Sequence, residues 1–237
     1  MSEPQAELPD DLRPDVSALV IEDDEPVDDL HSETQMRLLT EPLYASWAGP
    51  PPREDGAPRP FLVAANVGVF GSVHEPATAP DVLLSADVAA PLSFEDERDR
   101  SYFIWERGKP PDVVIEIVSH RDGDELGRRR ARYARIRVMH YVVWDRLGTL
   151  GPPGPYAFEL RGDLYQTMKD PWFESLGLGL VEWHGTFETM NERWLRWRLA
   201  DGSLVLTGAE RAEAASARAD ALAAKLRALG IDPDDAG

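Results

Sequence analysis

Two acids stand where acids are costly, and their types and spacing suit metal-assisted phosphate chemistry. Glu116 lies inside "DVVIEIVS" (112–119), an otherwise apolar and β-branched run. Such a run reads as a strand buried on both faces. Alternate strand residues share a face, so Asp112, Val114, Glu116 and Val118 point one way and Val113, Ile115 and Ile117 the other. A buried carboxylate is expensive unless it meets a cation. Asp112 stands ~13 Å from Glu116 at strand rise, too far to share one ion. A second ligand must come from a different strand. Asp81 is the natural candidate, because it opens the short run "PDVLL" directly after Pro80. Two carboxylates and a backbone carbonyl can hold Mg²⁺ (or Mn²⁺), with a substrate phosphate completing the shell. The structural alternative is that Glu116 pairs with an arginine of the next helix.

That helix is rich in arginine. Arg128, Arg129, Arg130, Arg132, Arg135 and Arg137 lie between Leu126 and Val138 with no acid among them. The chain as a whole carries a net charge of −18, which argues against a general nucleic-acid binder. Residues 1–30 contribute −10 of this, from eleven acids and one base. A local basic face on an acidic chain suits phosphate contact, and it equally suits pairing with the chain's own carboxylates.

The elements that must position these residues follow from pattern. Residues 1–30 form an acidic, Pro-rich segment expected to be largely disordered apart from "SALVI" (17–21). Ser32 is a candidate cap for a helix whose apolar side carries Met36, Leu38, Leu39 and Leu43. Strands are expected at 61–70, 80–88 and 101–105. Residues 112–119, a helix over 123–137 and "HYVVWD" (140–145) compose a strand–helix–strand unit that closes a parallel crossover. Short strands follow around "YAFELRG" and "LYQTM", and "ERWLRWRLADGSLVLTG" reads as a hairpin turning at Asp201-Gly202. The Ala-rich stretch 209–229 is a helix stopped by Gly230. Its Leu222, Leu226 and Leu229 form a narrow stripe that suits one partner helix, the chain's own core or a second copy.

Taken in order, "PDVLLSADV", "WERGKPPDVVIEIVS", "RRRARYARIRVMHYVVWD", "LGLGLVEWHG" and "AAKLRALGIDPDD" resemble the Uma-two family of restriction-endonuclease-like proteins, within the PD-(D/E)xK nuclease superfamily. The likeness spans roughly residues 18–235. It implies an α/β (α+β) fold, a mixed β-sheet flanked by helices with a C-terminal helix. Residues 1–30 would precede an endonuclease-like domain at 31–207, and the helix and tail would occupy 208–237. The resemblance implies Mg²⁺-dependent hydrolysis of DNA, with Asp81, Glu116 and the Ile117 carbonyl on the metal. Two departures stand out. The superfamily lysine two residues beyond the glutamate is Val118 here. The lysine that members of the family carry four residues before a helical tyrosine is Arg129, with Tyr133 as that tyrosine. Arginine can stabilise charge in a transition state, but it cannot take a proton from water. The chain is therefore either a nuclease with an electrostatic substitute or a catalytically degenerate relative that serves binding or assembly. Arg129 has a bland alternative as well, an i,i+4 surface pair with Glu125.

Other residues offer weaker chemistry. Asp124 suits a helix start or an outer role at the site, His120 follows the active strand, and Glu33 on the first helix is a further acid that could complete the site. The remaining histidines lack zinc-ligand spacing, and no phosphate-binding glycine loop or dinucleotide fingerprint occurs. Cysteine is absent, which excludes disulfides and thiolate metal sites. No apolar run approaches the ~18 residues of a membrane span, and the acidic N-terminus lacks a signal-peptide pattern. The expectation is a soluble, cytoplasmic protein that acts on DNA, with possible homo-oligomers through the C-terminal helix.

Overall fold

The computed structural model describes residues 14–16, 19, 29–93, 95–119 and 125–229. Most of the acidic segment, together with His120 and Asp124, lies outside the described residues. Helix α1 (Leu30–Ser46) is capped by Asp29, whose Oδ1 accepts the N–H of Ser32 at 2.8 Å. Ser32 is thus the capped residue rather than the cap. Asp29 is the better acceptor there, since its short carboxylate also faces the positive end of the helix.

Strands β1 (Phe61–Ala65), β2 (Val69–Phe70), β3 (Val82–Ala86), β4 (Tyr102–Phe103), β5 (Val113–Ile117), β6 (His140–Asp145), β7 (Gly154–Arg161) and β8 (Leu164–Thr167) follow, with a short helix α2 (Ile104–Arg107) after β4. A π-helical turn (Glu125–Arg129) leads into α3 (Arg130–Arg135) between β5 and β6. Six strands form one sheet in the order β1-β3-β5-β6-β7-β8. Only β5 and β6 run parallel within it. This is the crossover that the strand–helix–strand pattern predicts. The second sheet joins β9 (Trp172–Phe173), β10 (Leu178–Phe187) and β11 (Met190–Arg198), and α4 (Gly208–Ala228) closes the described chain.

Every residue of β5 is buried, because both faces of the large sheet are covered. Val113, Ile115 and Ile117 pack with Met36, Leu39 and Leu43 of α1 and with Leu180, Leu195 and Trp197 of the second sheet. Val114 and Val118 pack on the other face with Tyr133 of α3, Tyr141 and Val143. The alternation read from the sequence is the alternation of the two cores.

Four expected elements differ. The strand over 61–70 breaks into β1 and β2 at Asn66, which adopts a left-handed φ of 53°. The strand over 101–105 is two residues long and gives way to α2. The helix over 123–137 is a π turn and a short α-helix. The hairpin over 192–208 turns at Asp201-Gly202, but its return arm is one bridge between Arg198 and Leu204. The long hairpin is β10–β11, which turns at Glu188 with φ 52°.

Candidate active site

The site begins with strand register. Antiparallel pairing sets Val82 opposite Ile115 and Leu83 opposite Val114. One step further along this ladder Asp81 faces Glu116, and opposed residues share a sheet face. Asp81 Oδ2 accepts the backbone N–H of Ile117 at 2.6 Å, which anchors this carboxylate to the end of β5. Glu116 is 1% exposed.

Helix α3 and its π turn supply the rest. Tyr133 donates its hydroxyl to Glu116 Oε1 at 2.6 Å, and Arg129 donates from a guanidinium nitrogen to Oε2 at 2.5 Å. Residues four apart share a helical side, so one turn delivers both donors to one carboxylate. Burial, and then the charge of Asp81, push the Glu116 pKa up to about 8, against the pull of Arg129 and Tyr133. Glu116 in turn raises the pKa of Arg129, and burial raises that of Tyr133.

The sequence-predicted candidates thus separate. Asp81, Glu116, Ile117 and Arg129 come together. The structural alternative for Glu116, an arginine of the next helix, is also what the fold contains. Arg129 reaches Glu116 rather than Glu125. Glu33 is elsewhere, paired with Arg37 on an exposed face of α1 beside Glu188. In the sequence Tyr133 marks only the register of Arg129. Its role as a donor could have been inferred from the same four-residue spacing, given that α3 covers Glu116.

The other arginines are largely occupied by the chain itself. Arg132 donates to the carbonyls of Pro76 and Ala77, Arg135 pairs with Glu75, and Arg137 pairs with Asp163. Arg130 lies over the Phe158 ring at 5.2 Å. A groove of about 470 Å³ runs between α3 and β8, lined by Arg130, Ala134, Arg137 and Tyr165 among others, and neither Asp81 nor Glu116 lines it.

Oxygen donors on adjacent strands suit a hard cation such as Mg²⁺. No group of three or more His, Cys, Asp or Glu side chains that could hold a metal ion occurs among the described residues, so the side-chain ligands among them would be the two carboxylates. The residues fit the ion on one condition, that Arg129 leaves Glu116.

A mixed sheet flanked by helices, with an acid at the end of one strand facing a glutamate on the next, defines a restriction-endonuclease-like protein. The chain belongs to the Uma2 family, whose model, described as "putative restriction endonuclease", matches residues 11–166. No curated protein and no solved structure matches the chain. The matched region ends within β8, so the second sheet and α4 lie beyond it. No helix among the described residues is long and apolar enough to cross a membrane.

Proposed function

We propose that the protein is a metal-dependent endonuclease that hydrolyses DNA phosphodiester bonds at Asp81 and Glu116. The observation that carries this reading is the convergence of Asp81 with the Glu116 end of β5, beneath an arginine. Asp81, Glu116 and the Ile117 carbonyl would hold Mg²⁺ or Mn²⁺. Such an ion would supply Lewis-acid polarisation of the attacking water and of the scissile phosphate. Tyr133 fixes the orientation of Glu116 through Oε1. Arg129, half exposed at the rim, stabilises charge that develops on the phosphate. It does not act as the base, since its guanidinium stays protonated.

Purified protein incubated with plasmid and single-stranded DNA, with Mg²⁺, Mn²⁺ or EDTA, tests the reading. Cleavage is expected only with metal, and Asp81→Asn or Glu116→Gln abolishes it. Arg129→Lys is tolerated, whereas Arg129→Ala slows cleavage about 10²-fold, the scale of losing one charge stabiliser. A rise in cleavage for Arg129→Lys over the natural chain would show that a titratable amine is needed. The absence of metal-dependent cleavage by either protein on every DNA form defeats the reading. It would favour a degenerate nuclease fold serving binding or assembly, which the Arg129–Glu116 pair and the lack of a third acid at the site among the described residues also suit.

A further inference from the structure

The Arg129 guanidinium occupies the place on Glu116 that a metal ion would take. Glu116 Oε2 accepts from Arg129, and Oε1 accepts from Tyr133. We infer that Arg129 is a displaceable internal cation, which occupies Glu116 Oε2 in the metal-free protein and competes with a divalent ion for that oxygen. This deepens the metal-dependent reading above and rests on it.

The two partners of Glu116 differ in one decisive way. Tyr133 is fully buried, in the cluster with Val114, Tyr141 and Val143, and has nowhere to go. The Arg129 side chain is 46% exposed while that of Glu116 is 1% exposed. Only the arginine can swing into solvent, and its departure frees one known oxygen while Tyr133 keeps the carboxylate aligned. A reason for the arginine to stay until then is equally physical. An ionised carboxylate buried without a cation is strongly unfavourable. Either cation meets that need, so binding of one releases the other. A released guanidinium lies at the mouth of the site, where a phosphate would bind. A lysine there would supply a single point charge in place of the planar fork.

The test uses Mn²⁺ alone, without DNA, and reads its affinity by calorimetry or by loss of the free-ion electron-spin signal. Arg129→Ala should bind Mn²⁺ about tenfold tighter than the natural chain or more, the scale of removing one hydrogen bond to a charged group. Arg130→Ala controls for charge alone, since Arg130 sits beside it in sequence but lies over Phe158. It should change the affinity by less than about threefold, as a partly exposed charge acts through a screened field. Mn²⁺ should also raise the melting temperature of Arg129→Ala more than that of the natural chain, because the ion replaces the missing counter-charge. Should Arg129→Ala fold poorly without metal, Arg129→Gln keeps part of the aliphatic stem without the charge and gives the same comparison.

Equal affinity in Arg129→Ala and the natural chain overturns the inference. So does an equal gain in Arg130→Ala, which would reveal a general field effect, and so does no Mn²⁺ binding by any of the proteins. The hydrolase reading fails separately. Tight Mn²⁺ binding by Arg129→Ala without DNA cleavage by the natural chain would keep the displaceable cation and remove the nuclease.

Discussion

Tyr133 and Glu116 meet in a place where neither can find water. Among the described residues the hydroxyl is the sole donor on Oε1, at 2.6 Å, and both residues are essentially inaccessible. Tyr133→Phe removes one oxygen and little volume, so it isolates this bond. Above about pH 8, where Glu116 is ionised, the loss should lower unfolding free energy by about 1.5–3 kcal/mol, the range for hydrogen bonds to charged groups. Urea unfolding checks it, and the dependence on urea should keep its slope because the buried area hardly changes. A shift below about 0.5 kcal/mol would mean that Glu116 takes its stability from Arg129 alone. At this scale the sequence was partly legible. The period of two in "DVVIEIVS" and the echo in "PDVLL" were enough to pair Asp81 with Glu116. Pairing of Glu116 with an arginine of the next helix was legible as the structural alternative, whereas apolar periodicity could not choose Arg129 over its neighbours, because the π turn at 125–129 leaves no mark in it.

Among the elements, the strands were read best where both faces are buried, since β5 and β6 show continuous apolar runs. They were read worst where one residue with a left-handed φ redirects the chain, as at Asn66 and Glu188. α4 is a clear helix by composition, yet its role is not local. Thr207 and Glu210 form a capping box, and Glu210 also pairs with the buried Arg196. Gly208 donates to Glu41 of α1 at 2.8 Å, and Arg211 bonds to the carbonyl of Ala45. Past this first turn the helix is largely exposed, with Leu222 at 53% and Leu229 at 76%. In a folded protein most of a helix's stability comes from packing an apolar face, which the later turns of α4 leave uncovered. The proposed homo-oligomer would pair these leucine stripes. Cutting the chain after Ala214 should therefore leave the melting temperature of the monomer within about 1 °C, because the removed turns bury little. Light scattering should show the full chain larger than one copy and the shortened chain as one copy. A single copy in both would end the assembly role of α4.

The whole molecule joins a family domain to a second sheet through one core. α1 and β10–β11 pack on the same face of the large sheet, and Gln35 ties them by exchanging hydrogen bonds with the backbone of Leu195 at 2.9 Å. Two histidines lie in this joint. His31 stacks on Trp194 at 5.0 Å with its Nε2 buried and unpartnered, and His140 stacks on Phe173 at 4.7 Å. Burial lowers both pKa values, with Arg146 adding to the effect at His31; Asp29 and Glu192 oppose it there, and the Asp112 carbonyl, Glu159 and Asp112 oppose it at His140. A histidine depressed in the folded state binds fewer protons than in the unfolded chain, whose pKa is about 6.5. Stability is then full above that value and is lost as pH falls through 6.5 toward the folded pKa. Glu116 has the opposite sign: with a folded pKa of about 8 against an ordinary 4.5, it costs stability as pH rises across that interval. The raw profile mixes these terms with the repulsion of a −18 chain, so the difference between two proteins is the useful quantity. His140→Phe keeps a ring against Phe173 and cannot titrate. Relative to the natural chain, its melting temperature should rise as pH is lowered from about 7.5 to about 5.5, and the gap should be constant above about 7.5. A gap that is flat across the whole range would show that His140 takes up its proton as easily in the folded protein as in the unfolded chain.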